Sequence, residues 1–217
     1  MRRSRPVYRA FKRSLDIALA GGALLFLWPV MGVLWILVRK HMGSPAIFRQ
    51  ERAGLDAEPF HVFKFRSMVE AYDDKGEPLP DAERLTPFGR FLRRSSLDEL
   101  PQLWNVLKGD MSLVGPRPLY MEYVPYYSPE QRRRLDVKPG VTGLAQITGR
   151  TTLNWEQRLA LDIRYVDRAS LSVDISIILK TFRKVLGSED IPESGLDCET
   201  RFRGTSMPDE APATETP

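Results

Sequence analysis

The sequence predicts an α/β protein that is mostly helical, with a few short strands and an apolar N-terminal segment. Residues 17–38 form a run of 22 residues without a charged side chain, and the chain has no second run of this kind. Two short stretches, 46–48 and 60–66, are rich in β-branched and aromatic residues and are separated by glycine and proline, as strands are. Most of the other apolar residues recur at helical spacing.

Composition divides the 217-residue chain into three parts. A basic start and the apolar run form residues 1–42, and a folded domain is expected over 43–187. Residues 188–217 carry a net charge of −6 and are predicted to be a disordered acidic tail, which leaves +10 on the rest of a chain whose net charge is +4. The single cysteine, Cys198, excludes an internal disulfide. The basic body suits nucleic acid, anionic lipid or phosphorylated substrates, and charge alone does not choose among them.

The apolar run is long enough to cross a bilayer as one helix. However, Pro29 lies in its middle and leaves the Leu25 carbonyl without its helical partner. Lysines and arginines flank the run on both sides, so both ends favour the cytoplasm. A re-entrant helix-hairpin that is broken at Pro29 satisfies both flanks, and a single spanning helix is the alternative.

Two adjacent carboxylates, Asp98 and Glu99, follow a group of arginines that includes Arg93. Farther along, Arg117 lies between two prolines, so its side chain leaves a stiff turn. Arginine forks suit phosphate oxygens. Together these residues indicate a metal-assisted reaction at a phosphate, with one aspartate free to act as nucleophile.

The start of the helix that follows these acids can be placed in two ways, and its end is expected at Gly109. With Ser96 as the N-cap, Glu99 completes a capping box and the acids serve local structure. With Asp98 as the N-cap, Pro101 falls in the first turn, where it is tolerated. We favour the second register, which brings the carboxylate and the free backbone N–H groups together.

Other elements have clearer signals. Lys64 shares one face of the second strand with Val62, and it either faces water or points towards the acids. Residues 70–87 are polar and proline-rich and predict a loop. Ser128 and Asn154 are expected to cap helices, and Arg132, Arg133 and Arg134 are interpreted as a solvated face. A basic amphipathic helix over 175–186 either packs on the domain or lies in the membrane interface.

Four segments in order resemble the bacterial sugar transferase family, in particular its small monotopic phosphoglycosyl transferases. They are Lys64–Met68, Ser96–Gln102, Gly109–Pro118 and Pro139–Gln146, and the resemblance covers roughly residues 10–187. It implies a cytoplasmic-facing catalytic domain with a re-entrant membrane helix and amphipathic interfacial helices. One departure is Trp28 before Pro29, where small members commonly have serine.

The resemblance also implies a reaction, namely transfer of a sugar 1-phosphate from a UDP-sugar to polyprenyl (undecaprenyl) phosphate, with release of UMP. Asp98 would be the nucleophile of a covalent aspartyl-phosphosugar intermediate, and Glu99 together with Asp98 would hold Mg²⁺. The residues implied to bind the substrate are Lys64, Arg93, Arg117, Gln146 and Arg150.

The implied partners are the UDP-sugar, the polyprenyl phosphate and the lipid bilayer, with no nucleic acid. The implied location is the bacterial inner membrane, with the catalytic domain and both termini on the cytoplasmic face. The alternative is a membrane-anchored scaffold that binds anionic lipid or RNA through its basic body. That alternative gives no reason for adjacent acids on the most basic stretch.

Overall fold

A computed structural model describes residues 6–149, 153–187, 202 and 204. These residues form helices and short strands joined by 3-10 turns, which confirms a mostly helical α/β protein. The helices are α1 Pro6–Met42, α2 Asp81–Arg84, α3 Pro87–Arg94, α4 Gln102–Lys108, α5 Pro129–Arg132, α6 Leu144–Gly149, α7 Trp155–Arg168 and α8 Leu171–Gly187. The strands are β1 Ile47–Ala53, β2 Pro59–Phe65, β3 Ser112–Val114 and β4 Gly140–Thr142.

Helix α1 runs for 37 residues and stays helical through Pro29. The predicted break at Pro29 does not interrupt the helical assignment, and a proline inside a membrane helix is tolerated where neighbouring groups satisfy the freed backbone. Whether the helix bends at Pro29 stays a prediction. By length and composition α1 is able to cross a membrane, and only 11% of its apolar window is buried in the protein. Whether it re-enters one leaflet or spans the bilayer stays a prediction.

The domain packs against α1 and forms hydrogen bonds with it at several points. Ala20 packs in a cluster with Val106 and Met111, and Val38 packs in another with Leu92. Near the start of α1, Tyr8 and Lys12 donate to one carboxylate oxygen of Asp174 on α8, at 2.8 and 2.9 Å. Helices α3 and α4, which flank the two candidate acids, thus pack against the apolar helix.

Strands β1 and β2 form an antiparallel hairpin, with Lys64 opposite Phe48. Strands β3 and β4 pair in parallel and were not predicted, because three residues are too few to show a strand period. The 70–87 region is mostly loop, as expected, apart from the one-turn helix α2 and the start of α3.

The turn that carries the two acids differs from both predicted registers. Ser96 is left-handed (φ 56°), a 3-10 turn covers Leu97–Glu99, and α4 begins only at Gln102. Pro101 is the residue before α4, where its missing N–H costs nothing. Gly109 ends the helix with φ 99°, as predicted.

The capping predictions farther along are confirmed. Ser128 caps α5 and Asn154 caps α7, each within a full capping box. On α8, Ile177 is buried, whereas an outer face formed by Ile175, Leu179 and Phe182 is exposed. The helix therefore packs on the domain and also presents an apolar face outward, and its position in a membrane stays a prediction.

The predicted acidic tail lies outside the described residues except at two positions. Phe202 is 3% exposed and packs among aromatic rings of Tyr123, Tyr127 and Trp155. Their ring centroids lie 5.2–5.9 Å from that of Phe202. A lone aromatic residue among acids gives no sequence signal for such a contact.

Candidate active site

The two acids lie on the 3-10 turn between α3 and α4. The left-handed Ser96 reverses the chain after α3, and its N–H bonds to the Arg93 carbonyl at 3.1 Å. Asp98 is 6% exposed and Glu99 is 9% exposed. Carboxylates this deeply buried require polar or cationic partners.

Glu99 is the meeting point of two predicted cations. Its Oε1 atom accepts from Lys64 Nζ at 2.9 Å and from Arg117 Nη1 at 3.2 Å. Lys64 therefore points towards the acids, and the alternative in which it faces water is wrong. Both cationic side chains keep about a quarter of their surface open, 27% for Lys64 and 28% for Arg117, so they are able to meet a ligand as well.

Arg93 approaches from the last turn of α3. Its Nε donates to the hydroxyl oxygen of Ser67 at 2.9 Å, and Ser67 lies two residues after the end of β2. This contact ties α3 to the strand that carries Lys64. The hairpin, α3 and the acidic turn are therefore joined by side-chain contacts around the carboxylates.

The turn that carries Arg117 is held by backbone packing. Gly115 N–H donates to the Thr142 carbonyl and Gly140 N–H donates to the Pro116 carbonyl, each at 2.9 Å. A Cβ atom on Gly140 would lie 2.1 Å from the Gly115 nitrogen. The glycines of this region thus allow two backbone segments to lie in direct contact.

We expect Gly140→Ala to destabilise the protein by about 2 kcal/mol or more, because a methyl group forces apart two backbones that have little freedom to move. Gly22→Ala is the matched control, since a Cβ there meets nothing within 4 Å. Thermal unfolding of both variants in detergent measures the difference. Equal unfolding temperatures for the two variants would contradict this account of the turn.

Two pockets meet at Arg117. The first, called the α7 pocket, has a polar lining of Arg117, Arg134, Gln146, Arg158 and Asp162, with Trp155 beside them. The second, called the hairpin pocket, has a polar lining of Gln50, Arg52, Lys64, Gln102 and Arg117. Arg117 therefore connects the carboxylate site with both cavities.

Gln146 lines the α7 pocket, and its predicted role in binding stays a prediction. Both its amide atoms are buried and have no hydrogen-bond partner among the described residues. A buried amide without partners is costly, so a ligand that satisfies it gains affinity. Arg150, the other residue predicted in this region, lies outside the described residues.

The interpretation of Arg134 as part of a solvated face is wrong. It is 2% exposed and pairs with Asp162 on α7, with Nη2 2.8 Å from Oδ2. Burial is the largest influence on the Asp162 carboxyl and raises its pKa, and the Arg134 guanidinium opposes that shift. Three consecutive arginines suggest an exposed basic patch, and only the tertiary partner on α7 reveals which of them is buried.

The described residues include no group of three histidine, cysteine or acidic side chains able to hold a metal ion by themselves. Asp98 and Glu99 are adjacent carboxylates, and Glu99 contacts Lys64 and Arg117, which line the hairpin pocket. Mg²⁺ is often bound by one or two carboxylates that act together with substrate phosphates. The pair therefore fits a metal ion that arrives with a phosphorylated substrate.

Two cations converge on the buried Glu99, on a domain that packs against an apolar helix long enough to cross a membrane. The chain belongs to the bacterial sugar transferase family, whose model matches residues 7–188, and it is a transferase. The match covers the whole site as the structure describes it.

Several relatives share this stretch. A Bacillus subtilis protein described as the uncharacterized sugar transferase EpsL is 52% identical over 78% of this chain and 84% of its own length. A Xanthomonas campestris UDP-glucose:undecaprenyl-phosphate glucose-1-phosphate transferase is 43% identical over 80% of this chain, and a Salmonella typhimurium undecaprenyl-phosphate galactose phosphotransferase is 40% identical over 82%. The matches span only 38% and 41% of those two longer proteins.

Proposed function

We propose that the protein transfers a sugar 1-phosphate from a UDP-sugar to polyprenyl phosphate. The observation that carries this proposal is the buried Asp98–Glu99 turn, where Lys64 and Arg117 converge on Glu99 beside two open pockets. The names of the Xanthomonas and Salmonella relatives, which refer to undecaprenyl phosphate and to glucose or galactose, support the same donor and acceptor classes.

The proposed reaction has two displacements at one phosphorus atom. A carboxylate oxygen of Asp98 bonds to the β-phosphorus of the donor, and the bond from that phosphorus to the bridging oxygen breaks, so UMP leaves. An oxygen of polyprenyl phosphate then bonds to the same phosphorus. The bond to Asp98 breaks, the carboxylate is restored, and the product is a polyprenyl diphosphate-linked sugar.

The cations around the turn would stabilise the charge that spreads over the phosphate oxygens during each displacement. Arg117 and Lys64 already face Glu99, and Arg93 is held nearby by Ser67. Glu99 and Asp98 would hold Mg²⁺, which would supply further positive charge for the donor phosphates. Placing these charges in advance lowers the cost of rearrangement during reaction.

The α7 pocket is the proposed site of the donor's nucleoside end. Its polar lining includes the unpartnered Gln146 amide and the Arg158 guanidinium, and Trp155 offers an aromatic face. Arg117 at the pocket's edge would then meet the diphosphate. Arg150 is proposed to bind the same donor from the segment that follows α6.

The proposed location is the bacterial inner membrane, with the domain on the cytoplasmic side. Exposed apolar side chains of α1 and the outer face of α8 provide the surfaces that would contact lipid. Basic residues at both ends of α1 support a re-entrant helix, which would keep both ends on the cytoplasmic side. A lipid-borne acceptor and a soluble donor would then meet at the membrane surface.

The test is UMP release from a panel of UDP-sugars by the full chain purified in detergent. We expect multiple turnovers only when undecaprenyl phosphate and Mg²⁺ are both present, with the sugar 1-phosphate recovered on the lipid. Without the lipid, at most one UMP is expected per enzyme, because the nucleophile stays occupied. Folded protein that releases no UMP with any donor, and binds RNA or anionic vesicles with steep salt dependence, would favour the scaffold instead.

A further inference from the structure

The buried side chain of Arg134 contacts the backbone of the turn that carries Arg117. Its Nη2 atom donates to the Arg117 carbonyl oxygen at 2.6 Å, and its Nε and Nη2 atoms donate to Asp162 Oδ2 at 3.0 and 2.8 Å. Its remaining nitrogen donates to the Tyr127 hydroxyl at 3.3 Å. One buried guanidinium thus joins the 3-10 turn Arg133–Asp136, helix α7 and the Arg117 turn.

We propose that Arg134 is a positioning residue for the transfer reaction, and that it acts by holding Arg117 where its guanidinium meets Glu99 and the donor phosphates. The inference rests on the proposed function. It assigns Arg134 no contact with the reacting atoms, since its side chain is buried and engaged by Asp162, Tyr127 and the turn.

The backbone around Arg117 shows why a side-chain anchor is needed there. Before Arg117, the Gly115 N–H and the Pro116 carbonyl bond to the strand that contains Gly140 and Thr142. After it, the Leu119 carbonyl accepts from the Ala53 N–H at 2.9 Å. Pro118 has no N–H to donate. The guanidinium of Arg134 supplies the anchor at the Arg117 carbonyl, between these two sets of backbone bonds.

Stability alone is a weak reason for this buried pair. Two well-packed apolar side chains of similar volume commonly stabilise a fold as well as a buried ion pair does. An apolar pair, however, offers no donor to the Arg117 carbonyl. The fork of Arg134 satisfies an aspartate and a carbonyl at once, which is a geometric role that arginine performs and lysine does not.

The test is a double-mutant cycle on turnover. The pair-deleted variant carries Arg134→Met with Asp162→Leu, so no lone charge stays buried. The matched control carries Arg133→Met with Asp167→Leu, because that exposed neighbouring pair also joins the same turn to α7 without contacting Arg117. Arg117→Ala is then introduced into the wild type, the pair-deleted variant and the control.

We expect Arg117→Ala to lower kcat by on the order of 10²-fold in the wild type and in the control. In the pair-deleted variant we expect the same change to cost less than about 10-fold, because Arg117 is already misplaced there. Equal costs in all three backgrounds would overturn the proposal, since a purely structural role leaves the two changes additive.

Arg134→Lys provides a second cycle in which the buried charge is kept, should the pair-deleted variant not fold. The measured quantity is again the fold-loss in kcat caused by Arg117→Ala. If that loss in the variant that folds equals the loss in the wild type, the proposal is overturned. Thermal unfolding and KM are measured alongside kcat. Failure of the proposed function is distinguishable from failure of this inference. In the first case the wild-type protein itself would release no UMP, so the double-mutant cycle could not be measured.

Discussion

Asp98→Asn is expected to abolish turnover, with UMP release falling by about 10⁴-fold or more. The amide has nearly the same shape as the carboxylate, so the packing of this 6% exposed side chain is kept. What it lacks is an anionic oxygen able to bond to phosphorus. The loss should therefore appear in kcat.

The matched control is Asp81→Asn, which makes the same chemical change at an exposed ion pair with Arg84 on α2. It should retain wild-type turnover, because surface ion pairs contribute little. Acid-quenched wild-type enzyme, given donor labelled in the sugar phosphate and no lipid, should carry label on Asp98. Wild-type turnover in Asp98→Asn would refute the nucleophilic mechanism.

Sequence patterns predict some parts of this structure and miss others. Local chemistry was read correctly at Gly109, Ser128 and Asn154, because a helix end depends on residues within one turn. Lys64 was placed on the correct strand, but its direction towards the acids came from the family resemblance. Strand periodicity alone left both faces open.

Contacts between distant segments were beyond the sequence. Arg134 and Asp162 are 28 positions apart. Nothing in a run of three arginines indicates that the last of them is buried and joins several segments. The parallel pairing of β3 with β4 is equally hidden, although it fixes the turn that carries Arg117. The start of α4 was misplaced because a left-handed Ser96 was not anticipated, and non-glycine residues adopt that conformation infrequently.

These two kinds of contact have different functions in the proposed enzyme. The acidic turn carries its proposed reactive groups within a few residues, so it can be recognised in the sequence as a motif. Lys64 comes from β2 and Arg117 from the segment after β3, and only the fold brings them to Glu99. Substitutions in the buried supports should therefore affect catalysis through placement of those cations.

Glu99→Gln is expected to lower kcat by on the order of 10²- to 10³-fold and to raise the Mg²⁺ concentration needed for half-maximal activity. In the structure, Oε1 of Glu99 accepts from both Lys64 and Arg117. The neutral amide no longer balances two cations, and it is a poorer ligand for a hard divalent ion than a carboxylate is. Both effects act on the groups proposed to face the donor phosphates.

The control is Glu70→Gln, which removes the exposed carboxylate of Glu70 from its ion pair with Arg66 just beyond β2 and should change neither quantity. The two measured quantities separate the two roles proposed for Glu99. A fall in kcat with an unchanged Mg²⁺ requirement would show that Glu99 orients Lys64 and Arg117 and is not a metal ligand. An unchanged kcat would show that Glu99 is not part of the active site. If Lys64 and Arg117 act on the phosphate, neutralising the carboxylate that both of them contact must affect kcat.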